Sequence, residues 1–110
     1  MVVHPLGVPG LTIGLLGGSF DPPHEGHVHI TKQAIKAFNL SKIWWLVSPG
    51  NPLKDWEPEK ISKRFEACKK IMKHPAVTVT NIESSLGSRF TAETIYKLQR
   101  IYPQVRFVWL

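Results

Sequence analysis

Two histidines and a pair of glycines in the first third of the chain have the types and spacing needed to handle phosphate. His24 and His27 are three residues apart at the start of a helical pattern, so their imidazoles can point the same way. Gly17 and Gly18 precede them, and without side chains they let backbone N–H groups approach a ligand closely. A glycine turn followed by a helix N-terminus is a natural cradle for phosphate. These residues therefore predict phosphate chemistry.

The elements that must position these residues alternate between strands and helices. An apolar run over residues 11–16 predicts a buried strand, and Gly17-Gly18-Ser19 predicts the turn that ends it. A helix is predicted over residues 25–38. The later elements are a strand over 42–48, a helix from Pro58, a strand over 77–79, a helix capped by Thr91 and a strand over 105–110.

This order predicts an α/β protein with a Rossmann-like parallel sheet and helices on both faces. Ligands of such sheets bind beyond the carboxyl ends of the strands, where the glycine turn and the loop after the second strand both lie. Residues 1–10 carry two prolines and two glycines and predict a flexible leader to a domain over residues 11–110. The last strand ends without a turn or cap, so we expect the domain to be truncated.

Composition narrows the class of protein. A chain of 110 residues with 20% charged residues is typical of one soluble globular domain. The net charge of +6 favours anionic partners, among which nucleotides, nucleic acid and acidic lipid all qualify. Cys68 is the one cysteine, which excludes an internal disulfide and suits a reducing cytosol. The sequence contains neither a signal peptide nor an apolar run of about 20 residues, so a cytoplasmic location without a membrane partner is expected.

The segment GGSFDPPHEGH, residues 17–27, resembles the GGxFDPxHxGH signature of the nucleotidylyltransferases, which transfer AMP or CMP from a nucleoside triphosphate. Within that superfamily the chain is most similar to the bacterial nicotinate-nucleotide adenylyltransferases of NAD biosynthesis. The resemblance implies transfer of AMP from ATP to nicotinate mononucleotide, giving deamido-NAD and pyrophosphate. It also implies Mg²⁺ that arrives with ATP and has no dedicated protein site. Nearly the whole chain is covered, but only about the N-terminal half of such an enzyme.

The resemblance assigns the ATP site to residues of this segment. His24 and His27 are the implied catalytic pair, which binds the ATP phosphates and stabilises the leaving group. The main chain of Gly17, Gly18, Ser19 and Phe20 is placed against the nucleotide. A protonated histidine suits this task, because negative charge grows on the phosphate oxygens as pyrophosphate leaves. No metal site is predicted, and His29 is interpreted as an ordinary residue of the helix surface.

The resemblance also implies three contacts to the acceptor substrate, each with a structural alternative. Lys54 lies in the segment PGNPLK, which is similar to the substrate loop of the family, but it also fits an exposed lysine in a turn. Arg64 in SKR is a candidate phosphate contact or a member of a structural ion pair. Thr91 in FTAET lies near the implied nicotinate pocket, and its simpler role is that of a helix cap.

Three other functions fit parts of the same sequence. Pantetheine-phosphate adenylyltransferases share the HxGH core, although the residues 51–54 loop and the Thr91 segment favour nicotinate. A class I aminoacyl-tRNA synthetase is suggested by KISKR at residues 60–64, which follows His27 too closely for that class, so no nucleic-acid partner is expected. A nucleotide-binding module without catalysis is the third alternative. The sequence carries no signal for an oligomeric state.

Overall fold

A four-stranded parallel sheet forms the centre of the protein. The computed structural model describes residues 5–7, 9–49, 58–88 and 91–110, with the backbone alone for residues 58–60. The sheet has the strand order β3-β2-β1-β4, and each neighbouring pair is parallel. The elements in chain order are β1 Thr12–Gly18, α1 Glu25–Ala37, β2 Lys42–Val47, α2 Pro58–Ile71, β3 Val77–Thr80, α3 Glu83–Leu86, α4 Thr91–Ile101 and β4 Arg106–Trp109.

The helices cover both faces of the sheet, as predicted. Side chains of a strand alternate between the faces, so adjacent residues of β2 enter different cores. Trp45 packs in one core with Val28 of α1 and Cys68 of α2. Trp44 packs in the other core with Leu98 of α4. Because both faces are covered, β1 and β2 read as nearly continuous apolar runs.

The prediction of a turn at Gly17 and Gly18 is wrong, because both residues belong to β1. Gly17 is in register with Leu46 of β2, and Gly18 with Val47. The Ser48 N–H then donates to the Gly18 carbonyl at 2.9 Å. Parallel pairing with β2 therefore carries β1 two residues beyond the apolar run, and the chain leaves the sheet at Ser19.

The predicted helices lie close to their expected positions. The first ends at Ala37 and is followed by Asn39 with φ +50°, a left-handed conformation that asparagine tolerates and that commonly ends helices. The short helix α3 lies between the strand predicted over residues 77–79 and the helix predicted at Thr91, where the sequence analysis predicted no element. No helix in the described part of the chain combines the length and apolar character that a membrane crossing requires.

Part of the predicted leader contacts the sheet domain. Pro5 is buried, and its carbonyl accepts a hydrogen bond of 2.7 Å from the Tyr102 hydroxyl. The Gly10 N–H donates to the Gln104 carbonyl at 3.0 Å, just before β4 begins. The described residues of this segment are therefore attached to the end of α4 and to the chain that follows it.

Candidate functional site

The order of the strands places the predicted phosphate site at a crevice of the sheet. From β1 the chain moves outward through β2 to β3, and then crosses to the other side of β1 to form β4. Open parallel sheets bind ligands at such a change of direction, beyond the carboxyl ends of the strands. Ser19 and the first turn of α1 lie at this end of β1. The residues predicted to bind ATP are therefore at the edge where a ligand is expected.

The two histidines form a reciprocal cap on α1. His24 is the N-cap residue, and its Nδ1 accepts the Gly26 N–H at 3.0 Å. The His24 N–H donates to Nδ1 of His27 at 3.1 Å. The two ring centroids are 4.0 Å apart, so the imidazoles are neighbours, as the spacing predicted. The Gly26 N–H is used inside the cap and is not free for a ligand.

These hydrogen bonds determine which ring nitrogens can donate. A neutral imidazole has one donor and one acceptor nitrogen, and Nδ1 is the acceptor in both rings. The proton of neutral His24 and of neutral His27 is therefore on Nε2. Two Nε2–H donors on adjacent rings can bind oxygens of one phosphate group or of two neighbouring ones.

In the ligand-free chain the surroundings of His27 favour its neutral form. Burial lowers the pKa of His27 below its ordinary value of 6.5, and the nearby charge of His24 lowers it further. A proton on Nδ1 would also remove the acceptor for the His24 N–H. The arrangement therefore offers hydrogen-bond donors without requiring a positive charge on His27.

The Phe20 ring packs against the His27 ring. Its side chain is 1% exposed, and its ring lies 4.6 Å from the His27 ring and 4.9 Å from the Trp45 ring, centroid to centroid. Its φ of +51° lies in the left-handed region, which costs a non-glycine residue about 1–2 kcal/mol. The packing of the ring offsets this cost. The placement of the Phe20 main chain against a nucleotide stays a prediction.

The two glycines at the end of β1 differ in what surrounds them. A Cβ atom added to Gly17 would lie 2.7 Å from the Trp109 ring, so the absence of a side chain lets β4 pack here. A Cβ atom added to Gly18 would have the Phe20 ring as its nearest neighbour at 3.7 Å, an ordinary contact. Packing explains glycine at position 17 but not at position 18, where the predicted close approach of a ligand remains the available reason.

Arg64 joins the ends of two neighbouring strands. Its side chain is buried, and Nη1 donates to the carbonyl of Ser19 at 2.7 Å and to that of Ser48 at 2.8 Å. Ser19 follows β1 and Ser48 follows β2, so the guanidinium connects both chain ends at the ligand edge. Neither of these contacts is the ion pair considered from the sequence. A further contact from Arg64 to a substrate phosphate stays a prediction.

The other predicted site residues have different positions. Lys54 lies outside the described residues. Thr91 is exposed and is the first residue of α4, so the cap position would be residue 90, which also lies outside them. α4 packs on the opposite face of the sheet from α1 and α2, so Thr91 and the histidines belong to helices on different faces. His29 is exposed, and the described residues contain no group of three or more His, Cys, Asp or Glu side chains that could hold a metal ion.

The sequence analysis did not predict a buried chain of hydrogen bonds that links Trp45 to the backbone of His27. The Trp45 indole N–H donates to the Thr31 hydroxyl at 2.8 Å, and that hydroxyl donates to the His27 carbonyl at 2.8 Å. The one available signal was Thr31, which stands four residues after His27 where a helical hydroxyl can reach the carbonyl of the preceding turn.

Two curated relatives share the same name. A Ruegeria pomeroyi protein named "Probable nicotinate-nucleotide adenylyltransferase" is 59% identical over 106 residues, which are 96% of this chain and 50% of the relative. A Parvibaculum lavamentivorans protein of the same name is 48% identical over 103 residues, which are 93% of the chain and 51% of that relative. The chain therefore spans about half the length of the curated relatives that it matches.

A solved structure shows the fold, and a family profile shows the family. Plasmodium falciparum nicotinic acid mononucleotide adenylyltransferase, solved in complex with NaAD, superposes with a TM-score of 0.71 at 17% identity. The superposition covers 90% of this chain and 50% of that one, and at this identity it shows the fold alone. The profile described as cytidylyltransferase-like matches residues 15–100, which include the histidine pair and Arg64. The chain belongs to the cytidylyltransferase-like family.

Proposed function

We propose that this chain carries the ATP-binding part of a nicotinate-nucleotide adenylyltransferase. The reaction transfers AMP from ATP to nicotinate mononucleotide, giving deamido-NAD and pyrophosphate. The observation that carries the proposal is the His24–His27 pair, with both Nδ1 atoms occupied as acceptors. The names of the relatives at 48–59% identity support the choice of acceptor.

In this proposal the two Nε2–H groups bind the triphosphate. Attack on the α-phosphorus by the phosphate of the acceptor breaks the bond to the bridging oxygen, and negative charge develops on the departing pyrophosphate. Catalysis of this kind needs positioning and charge stabilisation rather than a covalent nucleophile. His24 and His27 supply donors where the charge grows, and the capping hydrogen bonds hold their rings in place before ATP arrives.

The remaining parts of the site belong to the same proposal. Lys54, Arg64 and Thr91 contact the acceptor, and Gly18 lets the main chain approach the nucleotide. Mg²⁺ arrives on the ATP phosphates, which supply its oxygen ligands, and when bound it neutralises part of their charge. We place the reaction in the cytoplasm.

The test is pyrophosphate release by two forms of the protein. The first is the chain itself, and the second is the chain joined to the C-terminal half of the Ruegeria pomeroyi relative, which supplies the length that the chain does not span. With ATP, Mg²⁺ and nicotinate mononucleotide, the joined protein is expected to release pyrophosphate. Substitution His27→Ala should then lower kcat by roughly 10²–10³, the scale of one lost transition-state donor.

The control reactions distinguish the alternative functions. Faster turnover of phosphopantetheine than of nicotinate mononucleotide would indicate a pantetheine-phosphate adenylyltransferase instead. Binding of ATP by both forms, without pyrophosphate from any acceptor, would reduce the function to nucleotide binding. Near-normal kcat in a folded His27→Ala variant would contradict the role of the histidine pair.

A further inference from the structure

We propose that Trp45 is a positioning residue that holds the His27 imidazole in the orientation needed for phosphate contact. The proposal rests on the proposed function for its catalytic consequence. Its structural part, the dependence of the His27 ring on Trp45, can be measured without substrate. Trp45 is 0% exposed, so it acts on the site only through its neighbours.

The first connection from Trp45 to His27 is polar and reaches the backbone. The indole Nε1–H donates to the Thr31 hydroxyl, and the single proton of that hydroxyl is donated to the His27 carbonyl, each at 2.8 Å. Thr31 is also 0% exposed, so water does not compete for these groups. The indole thereby determines which way the hydroxyl points and strengthens its bond to the first turn of α1.

The second connection is aromatic and reaches the side chain. The Phe20 ring stacks on Trp45 with an interplanar angle of 14°, and the same ring also contacts His27 at 4.6 Å between centroids. The Trp45 ring also approaches His27 directly, edge to face, at 6.0 Å between centroids. The His27 ring therefore rests on two aromatic rings that are fixed in the core. Burial is also the first cause of the lowered pKa of His27.

Both connections act on a residue whose placement matters for catalysis. On the solvent side the His24 N–H donates a hydrogen bond to Nδ1 of the His27 ring. Without support from the core the ring could turn about that bond, and Nε2 would move away from the phosphate. Displacements of about 1 Å in an active site can lower rates by roughly a hundredfold. A change at Trp45 should therefore reach the site although Trp45 touches no ligand.

Trp44 provides a matched control. It is the preceding residue of β2 and is 1% exposed, but it points to the other face of the sheet. There its ring packs edge to face with Tyr102 and Phe107. Substitution of either tryptophan by phenylalanine removes the same atoms from a core of similar burial. Only substitution of Trp45 removes the hydrogen bond to Thr31.

The experiment compares Trp45→Phe, Thr31→Val and Trp44→Phe. In the chain itself, nitrogen NMR of the His27 ring reports its tautomer and its pKa. We expect Trp45→Phe and Thr31→Val to shift the His27 ring signals. Both variants should also raise the fraction of His27 rings that carry a proton on Nδ1. Trp44→Phe should leave the His27 signals unchanged. In the joined protein, Trp45→Phe should lower kcat about tenfold with little change in KM, whereas Trp44→Phe should change neither.

Each outcome decides the proposal. His27 signals that stay at wild-type positions in both Trp45→Phe and Thr31→Val would overturn it, as would an equal shift in Trp44→Phe. If Trp45→Phe does not fold, Thr31→Val still decides, because valine has nearly the shape of threonine and lacks only the hydroxyl contact. If the wild-type joined protein releases no pyrophosphate, the proposed function fails, while the NMR result for the chain still stands.

Discussion

The backbone N–H of His24 donates to Nδ1 of His27, and the His24 ring in turn accepts the N–H of Gly26. The His24 side chain therefore has two roles. It caps the helix, and it is a candidate hydrogen-bond donor to phosphate. Loss of activity after an ordinary alanine substitution at His24 could follow from either role. The two can be separated because other residues cap helices without carrying a second ring nitrogen.

The comparison of His24→Ala with His24→Asn makes this separation. Asparagine is a good N-cap residue, so His24→Asn should retain most of the free energy of unfolding, whereas His24→Ala should lose about 1 kcal/mol. Both variants lack Nε2–H and should lower kcat of the joined protein by a similar factor, roughly 10² or more. Urea denaturation and pyrophosphate release measure the two effects. Wild-type activity in His24→Asn would show that His24 is only a cap.

A second prediction concerns the pH dependence of stability. The pKa of His27 is lower in the folded chain than its ordinary value of 6.5, so the unfolded chain takes up the proton first as the pH falls. The contribution of His27 to the free energy of unfolding is therefore complete above pH 6.5 and decreases as the pH falls through 6.5 towards the folded pKa. The titratable group facing the ring is His24, whereas Phe20 and Trp45 carry no charge.

Urea denaturation between about pH 8 and pH 5 tests this prediction. The wild-type chain should lose stability on the acid side more steeply than His27→Gln, which cannot titrate in this range. The exposed His29 lies on the same helix, and His29→Gln serves as the matched comparison variant. Equal slopes for wild type and His27→Gln would show that His27 does not contribute.

The fold was largely predictable, and the contacts that support the site were not. Strand and helix positions followed from local hydrophobic patterns, and the spacing of His24 and His27 showed that their rings could meet. The bond from Trp45 to Thr31 joins a strand to a helix across the core, and no local pattern contains it. Histidine is not among the preferred cap residues, which is why the reciprocal cap was missed. α3 is only one turn long and has no periodicity to detect.

Arg64 gives a third prediction. Its guanidinium holds the carbonyls of Ser19 and Ser48 together at the ligand edge, so Arg64→Met should lower the free energy of unfolding by about 1–3 kcal/mol. Methionine keeps an apolar stem in the core but donates no hydrogen bond. The neighbouring Lys63 is exposed, and Lys63→Met should change stability by no more than about 0.5 kcal/mol. Equal urea midpoints for Arg64→Met and wild type would contradict this supporting role.

The fourth prediction concerns Cys68, whose thiol should be unreactive in the folded chain. Burial raises its pKa to about 12, and the positive charge of Arg64 offsets only part of this effect. The thiolate population of Cys68 is then about a thousandfold below that of an ordinary cysteine. The side chain is also shielded from reagents, because it lies in the same core as Trp45 and Val28. An aromatic disulfide reagent should label Cys68 rapidly in urea and very slowly in buffer. Rapid labelling in buffer would show that α2 opens readily.

The last prediction concerns the choice between nicotinate and nicotinamide, which differ by a carboxylate. The first N–H groups of a helix have no partners within it and favour an anion, and α4 begins with Thr91 at the carboxyl edge of the sheet. Glu93 in the same turn would oppose an anion, but its carboxylate pairs with Lys97 at 3.1 Å. We therefore expect the Thr91 main chain to donate to the nicotinate carboxylate.

Substitution Thr91→Pro tests this contact with little disturbance of the helix, since proline is well tolerated at the first helical position and lacks only the N–H. In the joined protein, the ratio of kcat/KM for nicotinate mononucleotide to that for nicotinamide mononucleotide should fall roughly tenfold, which corresponds to about 1.4 kcal/mol. Thr91→Ala keeps the N–H and removes only the hydroxyl, so its ratio should stay near that of wild type. If Thr91→Pro lowers kcat/KM equally for both substrates, Thr91 serves only the helix and the carboxylate is bound by another part of the protein.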